Sequence, residues 1–460
     1  MPASDLTRPA APLTCFKAYD IRGRLGIDLD EAIARRIGLA FARVMLPGTV
    51  VVGGDCRASS TALKAALAEG LRDGGADVID LGLCGTEEIY FATAHLRCGG
   101  GIEVTASHNP IDYNGMKLVA AGARPLDPAA ELGAIRTLAE AGPAPAPVRG
   151  SYREADTRAA YVEKVLSFVD LSALKPLKIL VNAGNGTAGP AFDAIEEALA
   201  AAGAPLSFVK LHHTPDGSFP NGIPNPLLPE NQPVTAEAVR AHGADFGVAW
   251  DGDFDRCFLF DETGAFIDGY YIVGLLAQQA LTLVPGATII HDPRMTWNTL
   301  DIVAAAGGRA VQSNTGHALV KAAMRREGAV YGGEMSAHHY FAGFMNCDSG
   351  MIPWLMIAEL VSRAGRPLSA LVSERLARFP GSGERNFTIA DPEAALARAH
   401  AEYAGAALAV DWSDGLSMEF ADWRFNLRRS QTEPLVRLNL ETRGDAARVE
   451  PLVEGIVALL

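Results

Sequence analysis

Two segments of the chain gather side chains suited to handling a phosphoryl group. In T-A-S-H-N-P (Thr105 to Pro110) a serine closes a run of β-forming residues. The Asn-Pro turn behind it would hold the Ser107 hydroxyl out over a cleft, where a nucleophile or phosphoryl carrier has to stand, although Ser and Asn also build ordinary turns. Asp251, Asp253 and Asp255, with Arg256 adjoining, place carboxylates at i, i+2 and i+4 directly after another strand-like run. Carboxylates so spaced repel one another unless they share a hard divalent cation, and oxygen-only ligation suits Mg²⁺ or Ca²⁺. Glu262 stands twelfth from Asp251, as in a helix-loop-helix calcium site, but the intervening C-F-L-F-D reads as a strand and excludes that arrangement. A solvated acidic turn is the remaining alternative.

Two further segments suit a sugar phosphate. In G-E-M-S-A-H, Glu334, Ser336 and His338 alternate along what reads as a short extended stretch, which would set all three on one face to meet successive hydroxyls. The neighbouring His339 and Tyr340 are equally suited to packing in a core. R-R-S-Q-T-E-P (Arg428 to Pro434) combines a guanidinium, the hydroxyls of Ser430 and Thr432, the amide of Gln431 and turn backbone, a good phosphate cradle. A solvated surface turn has the same composition. Tyr19 to Arg22 in F-K-A-Y-D-I-R-G, Arg294 in H-D-P-R-M, and His317 with Lys321 in N-T-G-H-A-L-V-K contribute further basic groups, each unremarkable alone.

These residues need a scaffold, and the pattern around them is one of Val/Ile-rich runs alternating with Ala/Leu-rich amphipathic stretches. That is the signature of α/β units with crossover helices. A first cycle has strands at 49–55, 76–82 and 101–107 and a helix at 60–75. The Pro/Ala/Gly-rich stretch 141–150 reads as a linker. A second cycle has strands at 178–184, 206–212 and 245–250 with a helix at 189–203, and a third has helices at 269–284 and 296–308 with strands at 287–292 and 329–334. After Arg378 the pattern becomes that of a smaller α+β unit. The expected domains are therefore 1–150, 151–262, 263–377 and 378–460. No close internal repeat is present, so any relation among the first three is one of topology. Each polar cluster of the three cycles follows a strand, where ligands collect in open α/β sheets.

The chain has 460 residues, more than one hydrophobic core usually organises, and 49% are hydrophobic and 20% charged, as in folded soluble proteins. Its net charge of −14 argues against a phosphate-tracking nucleic-acid binder. The six cysteines are scattered without C-x-x-C spacing and read as reduced thiols. No signal-peptide pattern or apolar run of spanning length is present, so the cytoplasm is the expected location and no membrane partner is expected.

The joint occurrence of these segments resembles the α-D-phosphohexomutase superfamily across essentially the whole chain. F-K-A-Y-D-I-R-G-R-L-G, G-G-I-E-V-T-A-S-H-N-P-I-D-Y-N-G-M-K-L, G-E-M-S-A-H-H-Y-F, C-D-S-G-M-I-P-W and W-R-F-N-L-R-R-S-Q-T-E-P look most like its bacterial mannose-phosphate members that feed GDP-mannose synthesis. The resemblance implies four domains around a central cleft, three of them topologically related mixed α/β sheet domains and the last a smaller α+β domain. It implies that Ser107 is phosphorylated in the active form and that Asp251, Asp253 and Asp255 bind Mg²⁺ with that group, with Arg256 beside them. Glu334 and Ser336, with His338 nearby, match a loop that contacts sugar hydroxyls. Arg428, Ser430, Gln431 and Thr432 match a loop that holds the non-reacting phosphate. Tyr19, Arg22, His108, Lys117, Arg294 and His317 match cleft-lining positions, the basic ones being candidates for proton transfer or charge stabilisation.

Two positions depart from the family pattern: Gln431 stands where Asn is commoner, and Arg294 where some members have Lys. An arginine keeps its charge, so Arg294 is expected to act as a clamp rather than a proton donor. The implied activity is a phosphomutase using hexose phosphates, with a hexose 1,6-bisphosphate as intermediate and activator, as a monomer or homodimer. Alternatives are the same chemistry on glucose, a metal-dependent phosphatase, and a binding protein without catalysis. The complete set of serine, three aspartates and arginine argues against the last.

Overall fold

The computed structural model describes residues 12–429 and 435–460. Four sheets follow one another along the chain, and the first three share one strand order. In the second, strand Leu177–Asn182 is flanked by Leu206–Leu211 on one side and Phe246–Trp250 on the other, all parallel, and Cys257–Asp261 then returns antiparallel. In the third the corresponding strands are Thr288–His291, Arg309–Gln312, Tyr331–Gly333 and His339–Phe341. In the first they are Thr49–Gly54, Asp77–Leu83, Gly100–Val104 and Tyr113–Ala120. The chain goes outward from the central strand and then crosses to its other side, which makes the strand ends there a topological switch point. The Ser107 segment, the Asp251 segment and the Glu334 segment each join the third of these strands to the fourth.

The elements largely follow the sequence pattern, with informative exceptions. The antiparallel strand Tyr113–Ala120 was hidden within a polar motif, and Ile21–Arg24 adds to its far side. The domain boundary expected at 150 falls just before Tyr152–Glu154, an exposed strand that pairs with Asp77–Leu83 and completes the first sheet. Three residues with no apolar alternation carry no strand signal. The G-E-M-S-A-H stretch is a tight turn rather than an extended run: Ala337 N bonds to Glu334 O at 3.0 Å and Ala337 takes φ +69°. No Gly, Asn or Asp marks that left-handed position, so the turn was illegible.

The cores do not divide into four. One continuous core runs through the second and third units to Phe379 and takes in Tyr90, Phe91, Val119 and Ala123 of the first; the rest of the first unit packs largely in a core of its own, and the fourth unit has a separate one. The fourth unit packs helices Pro392–Tyr403 and Val449–Val457 on an antiparallel sheet and docks on the third through buried polar groups. Arg424 donates to the carbonyls of Pro293 and Arg294 at 3.0 and 3.1 Å and pairs with Glu441 at 2.9 Å, while Glu441 also accepts from Thr296 N at 2.6 Å and from the Tyr270 hydroxyl. Glu441→Gln would leave a buried guanidinium without its counter-charge. The expected loss is about 3–5 kcal/mol from the step that frees the fourth unit, seen as an earlier calorimetric transition with the remainder unmoved. No helix among the described residues is long and apolar enough to cross a membrane.

Candidate active site

Ser107 sits in the left-handed region at φ +49°, a conformation that a non-glycine residue keeps only when its surroundings impose it. Arg57 does much of the imposing. Buried at 2% exposure, it donates to the carbonyls of Ser107, Asn109, Pro110 and Tyr113 at 3.0, 2.6, 2.9 and 3.2 Å. The Ser107 amide donates to Thr105 Oγ1 at 2.8 Å, and Arg22 holds the loop through Ala106 O and the Asn109 side chain. The result is a hydroxyl aimed at the second unit: Ser107 Oγ donates to Asp251 Oδ2 at 2.5 Å. Gly252 allows this approach, since a Cβ there would lie 2.5 Å from Ser107 O.

The three aspartates share a pattern. Each spends its Oδ2 on the protein: Asp251 accepts from Arg256 at 2.6 and 2.9 Å, Asp253 from Lys117 at 2.7 Å and Thr86 at 2.6 Å, and Asp255 from Lys117. Each Oδ1 is buried and makes no hydrogen bond among the described residues. The ligand atoms of the three lie within 4.8 Å of one another. Three carboxylates with ligand atoms this close, each with a buried oxygen left unbonded, fit a hard divalent cation, which takes oxygen ligands and removes the repulsion. Asp255, His338 and Asp348 form a second cluster, but there His338 Nδ1 is already bonded to Asp348 at 2.9 Å and Lys321 pairs with Asp348 at 2.6 Å. The all-aspartate group is the better fit.

Electrostatics separates the basic residues by role. Burial opposes the charge of Lys117, but Asp253 and Asp255 overcome it and raise its pKa, so it holds its proton and anchors the carboxylates. Burial and then Arg256 and Arg22 push His108 well below the usual imidazole range; its Nδ1 lies 3.0 Å from Ser107 Oγ and 2.5 Å from Arg256 Nη2. Burial, helped by Lys321, takes His317 down to about 3. His338 differs: burial lowers its pKa, but Asp255 and Asp348 outweigh that and raise it.

On the third unit, Glu334 is fixed by Gly316 N at 2.9 Å and by the Tyr340 hydroxyl at 2.5 Å, and Ser336 Oγ accepts from Arg294 Nη2 at 3.4 Å. Arg294 is clamped by Asp292, which also takes Met335 N at 2.8 Å. His339 turns inward and bonds to Tyr331 at 2.8 Å, the core role that was open from sequence. Tyr19 meets His317 edge to face at 6.3 Å. Tyr19, Asn314, Thr315, Trp412, Ser413 and Arg428 line a cavity of about 460 Å³ where the first, third and fourth units meet. Arg428 pairs there with Glu384 at 2.8 Å. Ser430, Gln431 and Thr432 lie outside the described residues.

The structure thus joins the Ser107 and Asp251 segments directly, and sets Arg294, Glu334 and Ser336 together with Arg428 facing them through Glu384. Sequence reasoning missed Asp55, Arg57, Thr86, Asp348 and Glu384. Asp55 and Arg57 follow the strand Thr49–Gly54, so the strand-end rule applied elsewhere would have found them. Thr86, Asp348 and Glu384 carry no such local signal.

The strand-end loops of three like α/β units come together here, with Ser107 bonded to Asp251 and His338 4.0 Å from Asp255. Three family models match along the chain, phosphoglucomutase/phosphomannomutase alpha/beta/alpha domains I, II and III, at residues 14–143, 159–264 and 268–379. The chain belongs to this family, the α-D-phosphohexomutases, and is an isomerase. It is 62% identical over 452 residues to a phosphomannomutase of Salmonella montevideo, covering 97% of this chain and 99% of that one. It is 57% identical over 450 residues to a Xanthomonas campestris protein described as phosphohexose mutases, with 97% and 99% covered. A crystal structure of a Burkholderia thailandensis phosphoglucomutase/phosphomannomutase family protein superposes with a TM-score of 0.85 at 34% identity, covering 96% of each chain.

Proposed function

We propose that this chain is a phosphomannomutase, interconverting mannose 6-phosphate and mannose 1-phosphate through a phosphoserine at Ser107 and a 1,6-bisphosphate intermediate. The observation that carries the reading is the Ser107 hydroxyl delivered to a carboxylate loop with three unspent oxygens. The division of labour follows the chain: 1–150 bears the phosphoserine, 151–262 the metal loop, 263–377 the sugar loop and 378–460 the phosphate loop.

Asp251, Asp253 and Asp255 would hold Mg²⁺ beside the serine. When bound, the ion supplies neutralisation of charge on the transferring group. O1 of mannose 6-phosphate bonds to phosphorus as the P–Oγ bond breaks, its proton leaves, and Ser107 is freed. After the bisphosphate turns, Oγ attacks the 6-phosphorus and mannose 1-phosphate departs. Arg256, which reaches both Asp251 and Ser107 Oγ, stabilises charge on the serine oxygen. The proton that leaves O1 ends on Ser107 Oγ, and in the second half-reaction the proton that leaves Oγ ends on O6, so the two steps balance. Glu334 and Ser336 hold sugar hydroxyls, and Arg428 holds whichever phosphate is not reacting. Mannose 1-phosphate is the sugar 1-phosphate that a nucleotidyltransferase would carry to GDP-mannose, and we place the enzyme before that step.

Arg428→Ala is expected to raise KM for mannose 1-phosphate by about tenfold or more, with a smaller effect on kcat, because it removes binding common to ground and transition states. Steady-state kinetics decides, and an unchanged KM would take Arg428 out of the phosphate site. The reading itself is tested by phosphorus NMR of mannose 6-phosphate with the protein, Mg²⁺ and catalytic 1,6-bisphosphate, beside the glucose pair. Isomer without inorganic phosphate supports a mutase, and phosphate without isomer means a phosphatase. The ratio of kcat/KM values settles the sugar.

A further inference from the structure

The strand Gly381–Thr388 enters the fourth sheet through an irregularity, its pairing with Leu435–Thr442 shifting register between Gly381 and Glu384. Within the shift, Ser382 Oγ takes the amide of Leu440 at 3.0 Å, and Gly383 adopts φ +61°, a backbone that glycine enters without strain. Bulges of this kind re-aim a side chain, and the one re-aimed here is Glu384. Its carboxylate stands among three guanidinium groups, with Arg428 Nη2 at 2.8 Å, Arg437 Nη1 at 3.2 Å and Arg294 Nη1 at 3.8 Å. Arg294 has Asp292 as well, but among the described residues Arg428 and Arg437 have no other ion pair. Burial opposes the charge on Glu384, and Arg294, Arg428 and Arg437 together overcome it and hold its carboxyl below the usual range. Arg294 belongs to the third unit and Arg428 to the fourth, so this carboxylate lies between two cations that would otherwise face each other across the docking surface.

We propose that Glu384 is a resident counter-anion of the guanidinium cluster, occupying it when no substrate phosphate is bound and so setting how tightly phosphate is held. The proposal rests on the reading of Arg428 as part of the phosphate site. Three partly buried cations without an anion repel, and the reaction requires the cluster to release and regrip phosphate as the bisphosphate turns. A carboxylate built into the strand lowers the cost of each release by covering the guanidiniums as phosphate leaves. It also repels the incoming dianion, which limits affinity. Arg428 Nε, buried and without a hydrogen bond among the described residues, remains available to a phosphate oxygen while Nη2 rests on Glu384.

The test compares wild type, Glu384→Gln, Glu384→Asp and Arg428→Ala, measuring the inhibition constant of inorganic phosphate against mannose 1-phosphate together with kcat. Glutamine keeps the volume and an acceptor oxygen and removes only the charge. The expected result is a phosphate inhibition constant lowered about three- to tenfold in Glu384→Gln, with kcat also lowered, as release slows. Glu384→Asp, which keeps the charge, should stay near wild type. An inhibition constant unchanged or raised in Glu384→Gln, or lowered equally in Glu384→Asp, overturns the proposal. If Arg428→Ala raises that constant while Glu384→Gln does not lower it, the counter-anion fails and the phosphate site stands. If Arg428→Ala leaves it unchanged, the phosphate-site reading fails and takes the counter-anion with it.

Discussion

Ser107→Ala is expected to abolish mutase turnover, lowering kcat by at least about 10⁴-fold, because in the proposed reaction the substituted oxygen carries the phosphoryl group between the two half-reactions. Among the described residues, the hydroxyls of Thr105 and Thr86 are already engaged: Thr105 Oγ1 is taken by the Ser107 amide and by Asp55, and Thr86 Oγ1 is spent on Asp253. The backbone should persist, since the loop is held through its carbonyls by Arg57 rather than through the serine side chain. Losing the Ser107 to Asp251 bond costs about 1–3 kcal/mol, so the variant is expected to fold with a slightly lower melting temperature. A coupled assay and calorimetry read the two quantities. Interconversion retained at even a few per cent would sink the phosphoserine assignment.

Metal removal is expected to be nearly as severe. Stripping divalent ions with a chelator should silence the enzyme, and Mg²⁺ should restore it. Asp253→Asn should lower kcat by about 10²- to 10⁴-fold without recovery at higher Mg²⁺. The physical readout is independent of turnover. An ion bound only by the folded state at a hundredfold excess over its Kd adds about 2.7 kcal/mol, so Mg²⁺ should raise the wild-type melting temperature and leave Asp253→Asn unmoved. Equal stabilisation of both proteins would place the ion elsewhere.

How far the sequence foretold this site depends on where each signal is stored. Ser107 and the three aspartates sit at strand ends, where apolar runs give way to polar residues, so the strand pattern and the carboxylate spacing marked them as candidates and the family resemblance supplied their expected roles. The order of sheets and most helices followed from the same periodicity. What stayed hidden depends on partners distant in sequence. Thr86 matters because it meets Asp253, 167 residues on, and Glu384 because a register shift turns it toward Arg294 and Arg428. The turn at Glu334 to His338 was misread because an alanine occupies its left-handed position. Lys117 was expected among the cleft's proton-transfer or charge-stabilising groups, and only the two carboxylates it touches mark it as an anchor.

The single core running through the second and third units, and joined by part of the first, gives the parts of the candidate site unequal freedom. The aspartate loop and the sugar loop are built on one body, so their spacing is set by side-chain packing and changes little unless that core is disrupted. The first unit shares part of that frame, because Tyr90, Phe91, Val119 and Ala123 enter the same core, whereas Arg428 stands on a unit whose core is separate. The chain is thus arranged as a fixed anvil with one jaw. In the proposed reaction, rotation of the fourth unit would loosen the phosphate at Arg428 while the serine, aspartate and sugar loops keep their spacing. A bisphosphate turning end over end would then meet the same frame in both orientations.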